Sequence, residues 1–197
     1  EVTASNLVKV NMDGETVMAS PFPVSSVGFT THSAVLMARP DVNCVVHTHT
    51  AAGMAFSSVD TELLPISQTS GYFYKHVGYH DWGGLGSNLD ERERLARDLG
   101  QHRGLIMRNH GLLVAAPTTP AGWVMIYQLE RICRTQLEAM AAANAMGKPV
   151  KLMPPEVADK TVESMNRNFQ NAAEGKTNFD WEAYLRMLDE TDDSYRH

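Results

Sequence analysis

The feature that most constrains this chain is a short apolar, β-branched run that ends in two histidines, Cys44-Val45-Val46-His47-Thr48-His49. Such a run predicts a buried strand. Side chains alternate between the two faces of a strand, so residues two apart project to the same side. We therefore expect His47 and His49 to present two imidazoles to one point. Polar rings at the end of a buried strand need a partner, which is either a hydrogen bond or a metal ion.

A third histidine, His110, lies between two further apolar runs and is followed by glycine, which allows another backbone to approach closely. Three neutral nitrogen ligands with open coordination positions are typical of a catalytic metal site, because structural sites are usually closed by four ligands. Each histidine also has a simpler interpretation. His47 and His49 would be an exposed polar pair, and His110 would be a hydrogen-bonded core residue.

Composition narrows the classes of protein that fit this chain. Its 197 residues, 43% hydrophobic and 20% charged, suit one domain with a helical tail. The formal net charge of −6, without a Lys/Arg cluster, argues against a nucleic-acid partner. We see no signal peptide and no run of roughly 18 apolar residues that would cross a membrane. Cys44 and Cys133 lie in apolar contexts, which favours buried free thiols and a reducing, cytoplasmic location.

The start of the chain is unusual, because it has no initiator Met and enters strand-like sequence almost at once. We expect an N-terminal segment to be missing.

The hydrophobic pattern mixes strands with helices, which predicts an α/β fold whose sheet is covered by helices on both faces. The apolar positions of the longest helix are spread around it, as at a subunit contact. Residues 51–86 are the hardest to assign. The predicted elements are a hairpin at 7–18 around Asp13-Gly14, a loop at 20–28, a helix at 29–38, strands at 42–47, 63–66, 105–107 and 112–115, a helix opened by a capping box at 87–90 and reaching 101, a long helix from 119 to a stop at Gly147, and tail helices at 157–169 and 179–188, the second capped by Asn178.

Two segments together resemble a known family. Arg39-Pro40-Asp41-Val42-Asn43-Cys44-Val45-Val46-His47-Thr48-His49 and Arg108-Asn109-His110-Gly111-Leu112-Leu113 are similar to the motifs of class II aldolases and adducins. The resemblance spans residues 2–147. It implies a three-layer α/β/α sandwich with a mainly antiparallel central sheet. It also implies a homotetramer with active sites near subunit interfaces. We expect domain boundaries at 1–147 for the aldolase-like part and 148–197 for a helical tail that packs on the domain or on a neighbouring subunit.

The same resemblance implies a metal centre. Carried over, its ligands are His47, His49 and His110, and the cation is divalent, usually Zn²⁺, with Fe²⁺ or Mn²⁺ as alternatives. In the family's sugar-phosphate aldolases this metal is a Lewis acid that stabilises the enolate formed when a C–C bond is cleaved. The substrate would be a small carbonyl or carboxylate compound.

The sequence departs from those aldolases at one position. Their catalytic base is a glutamate in a Ser-Ser-Glu loop, whereas the matching position here is Gly28, and no carboxylate lies between Ser20 and Arg39. Aldol chemistry needs a base for a proton. Decarboxylation fits better, because loss of CO₂ produces the carbanion directly and leaves only a proton donor to be found. The candidate donors are Tyr72, Tyr74, His76, His80 and Asp81.

We favour His80 as the donor, because the neighbouring Asp81 would raise its pKa. The alternative is that His80 is a histidine of a surface loop. Ser25 and Ser26 have hydroxyls that would suit a bound anion, although in a Pro/Ser-rich loop they are more typical of a turn.

Three functions remain open at this point. The first is a metal-dependent lyase acting by aldol cleavage or decarboxylation. The second is a non-heme Fe(II) oxygenase on the same scaffold, although the common iron triad contains two histidines and one carboxylate. The third is a non-catalytic, adducin-like interaction domain. Retention of all three histidines favours the first.

Overall fold

A computed structural model describes residues 2–84, 89–174 and 179–197. Strands and helices are intermixed, as predicted. Three short 3₁₀ turns lie at Ala4–Asn6, Gln68–Tyr72 and Ser194–Arg196. The longer elements, in chain order, are α1 (Ser26–Ala38), β1 (Cys44–Thr48), α2 (Ala51–Ser57), β2 (Val77–His80), α3 (Leu89–Leu99), β3 (Gly104–Met107), β4 (Gly111–Ala116), α4 (Thr119–Met146), α5 (Pro155–Ala173) and α6 (Phe179–Thr191).

The four strands form one sheet in the order β1-β4-β3-β2. β4 pairs antiparallel with both β1 and β3, while β2 pairs parallel with β3. A parallel pair needs a crossover connection, and α3 provides it between β2 and β3. The predicted α/β class is confirmed. The expected mainly antiparallel sheet is corrected to a mixed one, because the α3 crossover makes β2 parallel to β3 while the other two pairings are antiparallel.

The sheet contributes to two hydrophobic clusters, one on each face. Along β4, Leu112 and Val114 pack into a cluster with residues of α2 and α4. Leu113 and Ala115 point the other way and pack with residues of α1 and α3. Every residue of β4 is buried, which explains why its sequence is continuously apolar instead of alternating.

The predicted hairpin at 7–18 is only partly correct. The turn exists, since the Asn11 N–H donates to the Glu15 carbonyl and Gly14 has a φ of 87°. Pairing beyond the turn is limited to one bridge between Val10 and Thr16. The flanking apolar side chains, such as that of Val17, are exposed to solvent. A two-stranded ladder that buries no apolar face is only marginally stable in water, so the pairing does not continue past this bridge.

The loop predicted at 20–28 ends earlier than expected, because α1 begins at Ser26. The Ser25 hydroxyl accepts a hydrogen bond from the Gly28 N–H, which caps the helix. The helix ends before Pro40, as the sequence predicts.

The strand predicted at 63–66 is wrong. The Leu63 N–H donates to the Tyr79 hydroxyl and the Leu64 N–H donates to Oε1 of Gln136, so side chains satisfy this backbone in place of a neighbouring strand.

The long helix α4 matches the prediction closely. The Thr118 side chain accepts from the Ala121 N–H at its start, and Gly147 ends it in the left-handed conformation with a φ of 60°. The tail returns to the domain, where the Met153 N–H donates to the Pro65 carbonyl. The helix predicted to reach 101 ends at Leu99. The predicted capping box at 87–90 and the cap at 178 involve positions outside the described residues.

Both cysteines are free thiols. Cys133 is buried, and burial raises the pKa of its thiol, while Cys44 is only partly buried. Within residues 2–84, 89–174 and 179–197, no helix combines the length and the apolar character required of a membrane span.

Candidate metal centre

The antiparallel pairing of β1 with β4 brings the three histidines together. Thr48 pairs with Leu112, so His49, which follows β1, and His110, which precedes β4, lie at the same end of this strand pair. The ring centroids of His47, His49 and His110 are 4.7 Å apart in every pair, and one nitrogen from each lies within 4.8 Å of the others. The predicted convergence of these side chains is therefore present. His49 is exposed and the other two are half-buried, so the cluster opens to solvent.

The Asn109-His110-Gly111 motif has a local structural cause. Asn109 adopts a positive φ of 55°, a conformation that asparagine tolerates better than most residues, and its N–H donates to the Ser57 carbonyl. A Cβ on Gly111 would lie 2.3 Å from the Thr48 carbonyl oxygen. Only glycine permits this approach of the two strands, which is what places His110 beside the end of β1.

The ring of His47 is oriented by the sheet itself. Its Nδ1 donates to the Leu112 carbonyl over 2.9 Å, which leaves Nε2 without a proton and facing Nε2 of His49 at 2.8 Å. Metal-binding histidines commonly have this arrangement, in which a carbonyl fixes the tautomer and the second nitrogen is free to coordinate. Burial lowers the pKa of His47 to about 4 and also lowers the pKa of His110. Both rings are therefore neutral at physiological pH, as metal ligands must be.

The ring of His110 has a nitrogen without a hydrogen-bond partner among the described residues. Nδ1 of His110 is buried and has no hydrogen-bond partner within the described part of the chain. The Trp82 indole packs against this ring in an edge-on arrangement, with centroids 4.7 Å apart. Three convergent imidazoles, at least two of them neutral and one with an unpartnered nitrogen, fit a divalent cation such as Zn²⁺, which catalytic sites often hold with three protein ligands.

A carboxylate of α4 supports the loop after His49. Oε2 of Glu130 accepts hydrogen bonds from the Thr50 hydroxyl and, over 3.0 Å, from the Gly53 N–H. These contacts satisfy the start of α2, where backbone N–H groups lack helical partners and negative charge is favourable. Glu130 thereby fixes the segment that carries His49.

Gly28 occupies an uncrowded position on α1. Among the described residues, a Cβ at this position would contact only Ser25 atoms, at 3.6 Å. One turn further along, Nδ1 of His32 bonds to the Gly28 carbonyl oxygen at 2.7 Å, and the charge of His32 contributes to the lowered pKa of His47. This part of α1 therefore lies near the histidine cluster, and position 28 has room for a larger side chain.

His80 lies at the end of β2 that is closest to the cluster, but it is not the loop histidine of our alternative interpretation. It is only 2% exposed, its Nδ1 bonds to Asp98 and its Nε2 to Glu91, both at 2.8 Å. The expected partner Asp81 is exposed, and its carbonyl accepts a hydrogen bond from Arg94. The reason given for choosing His80 is thus wrong, while its role as proton donor stays a prediction.

The remaining candidates are dispersed. Tyr72 and His76 precede β2, at the end of the sheet away from the cluster. Tyr74 carries the ammonium of Lys75 over its ring. Ser25 caps α1 through its hydroxyl, which confirms the structural interpretation of that residue.

Sequence reasoning missed four residues that surround the cluster: His32, Trp82, Glu91 and Glu130. Trp82 was within reach, since it follows the favoured His80 and Asp81. The others lie on helices whose packing no local pattern reveals.

Together, the mixed sheet and the histidine cluster at the end of two antiparallel strands define an α/β protein with a candidate three-histidine metal site. Residues 1–137 match the family model described as the class II aldolase and adducin N-terminal domain. The chain belongs to the class II aldolase and adducin family, as the sequence motifs indicated.

Comparisons with individual proteins agree with this placement. A Caulobacter vibrioides protein named for its likeness to class 2 aldolases is 37% identical over 195 residues, covering 99% of this chain and 73% of its own length. Human beta-adducin is 35% identical over 212 residues, covering 100% of this chain but 28% of the adducin. The solved structure of a Pseudomonas syringae aldolase II superfamily protein matches with a TM-score of 0.88 and 38% identity, covering 100% of this chain and 76% of that one. L-Fuculose 1-phosphate aldolase from Glaciozyma antarctica matches with a TM-score of 0.79 and 28% identity, covering 100% and 73%.

Proposed function

We propose that the protein is a metal-dependent lyase that cleaves a C–C bond of a small carbonyl or carboxylate substrate. The observation that carries this proposal is the convergence of His47, His49 and His110, with His47 and His110 kept neutral by burial. A purely structural role would not require three adjacent imidazoles at a solvent-facing strand end. The similarity to L-fuculose 1-phosphate aldolase supports the same conclusion.

The three histidines would hold the cation, and Zn²⁺ is our first choice. When bound, it would supply Lewis-acid stabilisation for negative charge that develops on a substrate oxygen. The protein's own contribution is positional. The Leu112 carbonyl fixes the tautomer of His47, Glu130 holds the segment that carries His49, and Trp82 packs against His110.

Within this class we favour decarboxylation over aldol cleavage. Gly28 has no group that would take a proton, so any reaction that begins with proton removal lacks the family's usual base. Loss of CO₂ needs only a later proton donor. His80 is our candidate, acting through Glu91, because His80 donates to Glu91, and the charge of Glu91 partly offsets the burial that lowers the pKa of His110. The carboxylate therefore connects the buried imidazole with the cluster.

Metal content and product analysis test the proposal together. Protein purified without added metal would be assayed for bound Zn, Fe and Mn, then offered 3-oxo acids and 3-hydroxy ketones. We expect about one metal per chain, CO₂ from the 3-oxo acids, and loss of both metal and turnover in His47→Ala. His102→Ala, which removes a histidine remote from the cluster, should change neither. Aldehyde release from the 3-hydroxy ketones would indicate aldol cleavage instead. Full turnover by metal-free protein would overturn the proposal.

A non-catalytic, adducin-like role is the second candidate. Human beta-adducin matches the whole of this chain, although the match covers only 28% of the adducin, and Gly28 stands where aldolases have their base. This candidate predicts protein without stoichiometric metal and without turnover of either substrate class. The experiment above therefore separates it from the lyase.

We also propose that the chain forms a homo-oligomer, with a tetramer as the expected state. Trp123 and Tyr127 on α4 are 42% and 37% exposed, and both rings contact Tyr184 of α6. Large exposed aromatic groups of this kind are frequent at protein interfaces. Sedimentation velocity of the wild type and of Trp123→Ser would test this, since a monomeric wild type would contradict it.

A further inference from the structure

A cavity lies at the opposite end of the sheet from the histidines. It has a volume of about 350 Å³, within the range of small-molecule sites. Val42, before β1, and Pro117, after β4, form part of its wall. Val42 and His47 are five residues apart along an extended segment, about 16 Å at the rise of a β-strand. The cavity is therefore separate from the candidate metal centre.

The charges that line this cavity do not balance. Arg39 is neutralised, because it forms a bidentate pair with Asp41 over 2.8 and 2.7 Å and also donates to two backbone carbonyls. Arg103 is different. It donates to the side-chain oxygen of Asn166, which is uncharged, and its guanidinium stacks on the Phe169 ring at 4.9 Å. Among the described residues no carboxylate forms an ion pair with Arg103, so the cavity carries one uncompensated positive charge.

The guanidinium of Arg103 is also incompletely hydrogen-bonded. Its Nη1 is buried and has no partner among the described residues. Burial lowers the pKa of Arg103 to about 10, which shows how poorly its charge is solvated. Nearby His76 adds no positive charge, because burial and the Arg103 charge lower its pKa to about 4. A desolvated cation of this kind is costly unless an anion accompanies it.

We propose that this cavity binds a small organic carboxylate, with the carboxylate paired to Arg103 and the apolar body of the ligand against Phe169, Val42 and Pro117. A planar carboxylate is the natural partner of a guanidinium, whose donors match it in geometry. Apolar walls favour an organic anion over a strongly hydrated inorganic one. The site lies where α5 meets the sheet, so the ligand would contact both the aldolase-like domain and its helical tail.

Benzoate is a suitable probe, because it combines a carboxylate with a flat apolar ring. We expect saturable binding to the whole protein by calorimetry at fixed ionic strength, with a dissociation constant on the order of 1 mM, as suits a ligand of this size. Benzamide, which has the same shape without the charge, should bind at least tenfold more weakly. Inorganic phosphate distinguishes a general oxyanion site from one that needs the apolar body. Equal binding of benzoate and benzamide, or none of either, would overturn the proposal.

Variants locate the binding. Arg103→Met should weaken benzoate binding at least tenfold. Arg167→Met, which removes an exposed arginine from α5, the helix that carries Phe169, should leave it unchanged. If Arg103→Met does not fold, Gln101→Glu offers a second test, since Gln101 is an exposed lining residue and a carboxylate there would repel the ligand. His47→Ala excludes binding at the metal centre. Benzoate binding that survives Arg103→Met and Gln101→Glu but is lost in His47→Ala would refute the assignment.

Discussion

Glu130 gives the sharpest test of how the fold supports the candidate metal centre. It lies on α4 and is not one of the three candidate ligands, yet it accepts hydrogen bonds from the Thr50 hydroxyl and the Gly53 N–H, next to His49. Its side chain is 16% exposed. A hydrogen bond to a charged group contributes about 1.5–3 kcal/mol to stability. In Glu130→Ala the Thr50 hydroxyl can rotate to another acceptor, but the Gly53 N–H stays buried and unpaired. We therefore expect Glu130→Ala to lower the free energy of unfolding by about 2–4 kcal/mol.

The same change should weaken metal binding, because α2 begins only two residues after His49, with Thr50 as its N-cap. Loss of residues that orient metal ligands typically costs about 10–100-fold in metal affinity. Urea unfolding of metal-free protein would give the stability change, and Zn²⁺ titration against a competing chelator would give the affinity. Arg134→Ala is the matched control. Arg134 contacts Glu130 at 3.3 Å and is 61% exposed, so its loss should change stability by less than about 0.5 kcal/mol. Unchanged Zn²⁺ affinity in a folded Glu130→Ala protein would refute the reasoning.

Three further predictions follow from individual residues. Gly28→Glu should fold, because among the described residues a Cβ at position 28 would contact only Ser25, at 3.6 Å. The variant should catalyse metal-dependent exchange of deuterium into hydroxyacetone, which the wild type should not, and absence of exchange in the metal-loaded variant would contradict the placement of position 28 near the site. Gly111→Ala should destabilise the fold by several kcal/mol in urea unfolding, since its Cβ would lie 2.3 Å from the Thr48 carbonyl, and a stability near wild type would be incompatible with the close strand approach. Metal-free protein should lose stability as pH falls from about 6.5 to about 4, because His47 and His76 take up protons at the ordinary pKa in the unfolded chain but only near pH 4 in the folded chain. His76→Gln should make the free energy of unfolding depend less steeply on pH, and an unchanged slope would count against the lowered pKa of His76.

Much of this fold follows from local sequence patterns. The apolar runs at β3 and β4, and the Thr-Pro start and glycine stop of α4, are recognisable because the residues that form each element also mark its ends. Two other elements, α2 and β2, escaped prediction. α2 is short, and its N-terminus is stabilised by Glu130, which is remote in sequence. β2 depends on pairing with β3 across the α3 crossover. Neither has a local pattern strong enough to specify it.

The candidate site likewise has features that the sequence predicts and features that it does not. The spacing of His47 and His49 on one strand is sufficient to predict that both face one point, and the family motif adds His110. The environment of His80 was not predictable, because its partners Asp98 and Glu91 come from a helix later in the chain. Sequence adjacency suggested Asp81 instead, but that residue follows the end of β2 and is exposed to solvent. Neighbours in sequence are a poor guide to the partners of a residue at a strand end.

The structure also shows why the three histidines and the residue at position 28 can change independently of each other between proteins of this fold. The histidine cluster depends on the register of β1 against β4, and a slip of one residue would turn His47 to the opposite face of the sheet. Residues of both hydrophobic clusters fix that register, so the relative positions of the three histidines are set by the packing of the fold. Position 28 lies on α1, where a side chain has little contact with the core. A carboxylate at this position can therefore be gained or lost at small cost in stability, so a chain of this fold can keep the three histidines without the base of the sugar-phosphate aldolases.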